Sequence, residues 1–233
     1  MLSLAADNGF RRVAIIHDDA ITANAVAAGT GRLADLMGLE TVFCSPYRKA
    51  TIDFTAVLDD VAGAEPDVIV IASSHLAELT AFTRQLRRSR VKPQIVACYP
   101  YGLLPEFYRD LEADGEDVFS ATFWDAGLAR PGNADFVREY VAEYGRVPTV
   151  PSAVGYAGFS LLHAAIGTAG TLESEALRSA FLSLKTQTIL GGFSLMSSGL
   201  QAGMEPATIQ WQDGKAAIVL PDSLSSSQPR IGW

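Results

Sequence analysis

The residues best suited to meet a ligand or do chemistry stand at the ends of apolar runs. His17, Asp18 and Asp19 close the run Val13 to Ile16, and Ser73, Ser74 and His75 close the run in "PDVIVIASSHLAEL". Tyr99 and Tyr101 follow "QIVAC", and Trp124 and Asp125 end "DVFSATFW". Hydroxyl, imidazole, phenol and carboxyl groups can orient a polar solute, and a helix start beside them offers free N–H groups to an anion. The same residues have a structural use, because Ser and Asp cap helices. Ser73 or Ser74 suits the helix at Leu76, and Asp18 or Asp19 suits the one at Ile21.

Catalytic patterns are missing from these positions. No G-x-S-x-G elbow presents a nucleophile. His17, His75 and His163 show no H-E-x-x-H or Cys/His spacing, so no metal is expected. A phospho-receiver site needs an Asp after the third run and a Lys after the fifth, where this chain has Ser73-Ser74 and Trp124-Asp125. The Gly-rich stretch Gly29 to Gly38 lies inside a helix, away from any strand-to-helix turn, so it is no phosphate loop. Neither catalysis nor a cofactor is expected.

The elements that position these residues alternate. Strands at Val13–Ile16, "ETVFCSPY", "PDVIVIA", "QIVACYP" and "DVFSATFW" are separated by helical stretches at Ile21–Met37, after Asp53, at Leu76–Arg90 and at "LPEFYRDLEA". Strands that read as unbroken apolar runs between helices predict an α/β fold with a doubly wound parallel sheet. In the strand order 2-1-3-4-5, ligands bind beyond the carboxyl ends of the first and third strands. That places the polar ends in one crevice.

After Trp124 a Gly/Pro linker precedes helices at Asp135–Tyr144, Pro151–Thr168 and Ser174–Leu184, with no strand among them. Their apolar faces have no sheet of their own to cover, and Tyr156 is expected in a core. The stretch Thr149 to Leu172 carries no charged side chain, but its glycines and polar residues make it too weakly apolar for a membrane span, so a buried helix is expected. Two strands joined by Asp213-Gly214 follow, and the Ser-rich tail reads as loose.

With 233 residues, 48% hydrophobic and a net charge of -8, the chain can bury a large core and is a poor partner for nucleic acid. Cys44 and Cys98 are expected as packed thiols.

The segment "ADFVREYVAEYGRVPTVPSAVGYAGFSLLHAAIGTAG", with "VAIIHDD", "GLETVFCSPYRKATIDFTAVLDDVAGAEPDVIVIAS" and "ATIQWQDGKAAIVLP", resembles the leucine/isoleucine/valine-binding family of ABC transporter substrate-binding proteins, the type I periplasmic-binding fold. The resemblance runs over about residues 8–221. It implies a second lobe from residues 12–125 and 192–220, a crossover-helix remnant at 1–11, a helical remainder of the first lobe at 126–191 and a tail at 221–233. A fragment or truncated homologue is thereby expected.

The family implies an amino acid or related organic acid held between two lobes, a membrane permease as partner and an extracytoplasmic location. The helices Asp135–Leu184 would associate with a second copy or with the absent segment. Ligand contacts are expected at Asp19, Ile21, Ser73, Ser74, His75, Tyr99, Tyr101 and Trp124. Two departures bear on the ligand: "DDAITANA" replaces an Asp-x-x-Tyr-Gly-x-Gly run, and Tyr99 stands where amino-acid binders place an acid. An aromatic edge of Tyr99, Tyr101 and Trp124 suits an aromatic acid equally well. A sensing domain of the same fold is the alternative, and an α/β enzyme using Asp18, Ser74 and His75 the next.

Overall fold

The computed structural model describes Met1 to Trp233. Two compact units divide the chain, one from residues 1–121 with 208–233 and the other from residues 122–207.

In the first unit a short helix α1 (Leu2–Asp7) leads into β1 (Arg12–Asp18), α2 (Ile21–Leu36), β2 (Glu40–Tyr47), α3 (Thr55–Ala64), β3 (Val68–Ala72), α4 (Leu76–Arg88), β4 (Ile95–Tyr99), α5 (Pro105–Leu111) and β5 (Phe119–Thr122). The apolar runs become the sheet because both faces are covered: every residue of Val68–Ala72 is inaccessible to solvent, as are Ile95, Val96, Ala97 and Cys98. Such strands cannot alternate polar and apolar, which is why they read as unbroken runs. The strand order is 2-1-3-4-5, as the alternation predicts, and β1 runs parallel to both β2 and β3.

Two strands from the end of the chain complete the sheet. β8 (Ala207–Gln212) lies beside β5, and β9 (Lys215–Leu220) pairs antiparallel with β8. Asp213 and Gly214 both take positive φ, 52° and 78°, as a two-residue hairpin turn requires. The residues after Leu220 differ from expectation. They are tied to the sheet: Gln210 Nε2 donates to the Arg230 carbonyl at 2.7 Å, the Arg230 N–H returns to Gln210 Oε1 at 2.8 Å, and the Arg87 guanidinium lies 3.7 Å from the centre of the Trp233 ring. Paired side-chain amides supply what composition alone does not reveal.

The second unit holds α6 (Asn133–Tyr144), α7 (Val150–Ala169), α8 (Ser174–Ser183) and a small hairpin of β6 (Thr186–Thr188) and β7 (Gly191–Phe193). Residues 192–206 therefore fall in this unit, not with the sheet. Its core is small: Trp124, Phe136, Ala153, Ala157 and Ile189. α7 is not the buried helix that its composition suggests. Only Ala153, Ala157 and Ala165 are buried along it, and Phe159 is 76% exposed. Tyr156, expected in a core, is 45% exposed. Cys98 is buried, whereas Cys44 is exposed because its strand is at the sheet edge.

Candidate functional site

Adjacent parallel strands end at the same edge, so β1 and β3 deliver their polar termini together; His17 is in register with Ala72. Asp18 is wholly buried there. Its Oδ1 accepts the Ala20 N–H at 2.9 Å and its Oδ2 the Ser74 N–H at 2.6 Å, which clasps the start of α2 to the turn before α4. His17 turns its Nδ1 to the Asp18 carbonyl at 2.8 Å and is almost inaccessible.

Ser73 and Glu78 form a second clasp. The Ser73 hydroxyl donates to Glu78 Oε2 at 2.5 Å and accepts the His75 N–H at 3.0 Å. The Glu78 carboxylate also accepts the Tyr47 hydroxyl at 2.9 Å and the Ala50 N–H at 2.6 Å, drawing the end of β2 onto the same edge. His75 stays half exposed with its Nδ1 3.7 Å from Glu78 Oε1.

Neither serine caps α4. His75 takes the N-cap position without a side-chain hydrogen bond, so the first-turn N–H groups have no side-chain partner. The Ser74 hydroxyl oxygen is buried beside the Asp18 carboxylate. A helix start with free first-turn N–H groups and an exposed imidazole beside it is suited to meet a polar group.

Burial raises the Asp18 carboxyl, but hydrogen bonding by Ser74 and Ala20 outweighs it and leaves the group below its ordinary value. Burial, with the Glu78 carboxylate beside it, pushes the Tyr47 phenol up, and burial does the same to Tyr99. These phenols stay protonated donors across the physiological range.

Donor atoms of Asp18, His75 and Glu78 all lie within 4.8 Å of one another. The geometry would admit a cation, yet each carboxylate oxygen already accepts a protein hydrogen bond. The group is therefore a structural clasp.

Of the expected contacts, Ser73, Ser74 and His75 share this edge, with Asp19 and Ile21 exposed at the start of α2. Tyr99 ends the neighbouring strand β4 and is partly buried, and Tyr101 follows it in a 3-10 turn, 36% exposed. Trp124 is a correction. Its side chain is buried in the second unit, packed edge-on to Phe136 with Nε1 donating to Asn133 Oδ1 at 2.5 Å. Of the three aromatic residues expected at the edge, Tyr101 is exposed, whereas Tyr99 packs against the core beside α1. Glu78 and Tyr47 were not singled out by the sequence. The one signal for Glu78 was an acid in the first turn of an otherwise apolar helix start, three residues after His75.

The family described as "Periplasmic binding protein" matches residues 1–216. The chain belongs to this family. Among curated relatives, Leu/Ile/Val-binding protein homolog 7 of Brucella suis is 26% identical over 98% of this chain, and homolog 8 of Brucella abortus is 27% identical over the same share. The chain spans 59% of the length of each. Among solved structures, a putative branched-chain amino acid ABC transporter protein from Silicibacter pomeroyi superposes with a TM-score of 0.87 at 17% identity, over 99% of this chain and 64% of that one. A solute-binding protein from R. palustris in complex with benzoate gives 0.76 at 15% identity, covering 97% and 62%. A leucine-binding protein from Thermotoga maritima gives 0.80 at 20%, covering 96% and 65%. The periplasmic-binding fold and the mostly parallel sheet agree in all of these.

Proposed function

We propose that this chain is the ligand-binding part of an extracytoplasmic solute-binding protein of an ABC transporter, with no catalytic activity of its own. The observation that carries the reading is the family match over residues 1–216. The reading puts the ligand at the edge where β1, β3 and β4 end, with Asp19, Ile21, Ser73, Ser74, His75, Tyr99 and Tyr101 as the residues expected to meet it; the free first-turn N–H groups of α4 and the exposed His75 support that choice.

The ligand is a small carboxylic acid, an amino acid or an aromatic acid. Relatives are named for Leu/Ile/Val binding, and one fold neighbour holds benzoate. The exposed Tyr101 just beyond β4 favours an acid with an apolar or aromatic body. The partner is a membrane permease, and a net charge of -8 argues against nucleic acid. The exposed apolar residues of Asp135–Leu184, Phe159 foremost, favour association with a second copy or with a further segment of the family fold.

A thermal-shift screen tests the reading, since a ligand that binds only the folded state raises the midpoint by mass action. A saturable rise with one class of acid, weakened by Ser74→Ala, supports it. No shift with any amino acid, benzoate or related acid would sink it for this chain, and turnover of a substrate abolished by His75→Ala would replace it with an enzyme.

A further inference from the structure

We draw no further inference here: the strongest candidate, the Asp18, His75 and Glu78 side-chain cluster where β1, β3 and α4 meet at the sheet edge, belongs to the site already described, and its carboxylate oxygens are held by hydrogen bonds from Ala20, Ser74, Tyr47 and Ala50.

Discussion

At the residue scale, Asp18 shows why a buried carboxylate can hold an edge together. Both its oxygens take backbone N–H donors, so Asp18→Asn, which must present an amide group to one of them, leaves a buried donor facing a donor. We expect a loss of about 2 kcal/mol in urea unfolding. The folded Asp18 value lies below the ordinary one. Its contribution is therefore complete above the unfolded carboxyl value, about 4, and disappears as pH falls through the lower folded value. Stability measured against pH should lose this acid limb in the Asn variant; an unchanged limb would place the clasp elsewhere. Gly102 is a second test. A Cβ there would lie 2.8 Å from the Cβ of Cys98 and 3.3 Å from that of Ser120, both parts of the sheet, while its carbonyl accepts the Trp211 indole N–H at 2.7 Å. Gly102→Ala should cost about 1–3 kcal/mol by overpacking, read as a lower urea midpoint at unchanged slope. Cys98 nearby is unavailable as a thiolate, since burial raises it to about 12. The strand-end serines and His75 were legible in the sequence because their place follows from where an apolar run stops. Glu78 was not, because its Tyr47 partner is distant in sequence and comes near only once β2 and α4 are in place.

At the element scale, the more apolar of two helices is the less buried. On α4, Leu79, Phe82 and Leu86 are wholly buried, and the Phe82 ring meets Phe54 edge-on at 5.3 Å. Phe82→Ala should cost about 3–5 kcal/mol in equilibrium unfolding. On α7, Phe159 is 76% exposed, so Phe159→Ser should shift stability by less than about 0.5 kcal/mol. Equal effects of the two substitutions would refute the contrast. The period of α4 told its story because the sheet it covers is built from neighbouring segments. For α7, composition tells only that a helix is apolar. What lies against it depends on elements that the helix's own sequence does not encode. The same reasoning explains Trp124: its position after a strand suggested an edge, but an Asn133 side chain supplied a buried acceptor for its indole.

At the scale of the whole molecule, the sheet unit has a well-filled core and the helical unit a thin one. Exposed Phe159, Leu172, Val147 and Tyr144 give the second unit a surface that monomers seldom carry. Against this stands a net charge of -8, which sets copies apart at low ionic strength. Self-association through this surface should therefore strengthen with added salt, as sedimentation would show, and Phe159→Asp should reduce it. A sedimentation coefficient that stays monomeric at high salt and micromolar protein would remove the self-association reading.

The strand order carries a consequence for how the chain reaches its fold. β5 has β8 as its outer neighbour, through the Trp211 N–H to the Val118 carbonyl at 3.1 Å and the Asp117 N–H to the Trp211 carbonyl at 2.8 Å, yet the whole second unit is threaded between them. On the ribosome the first five strands emerge long before the pair that closes their row. Until then β5 is a bare edge, its N–H and C=O groups open to any passing strand. The late return of residues 207–220 makes the last step of assembly a long-range ring closure, slow for its size, and gives a chaperone a defined interval in which to act.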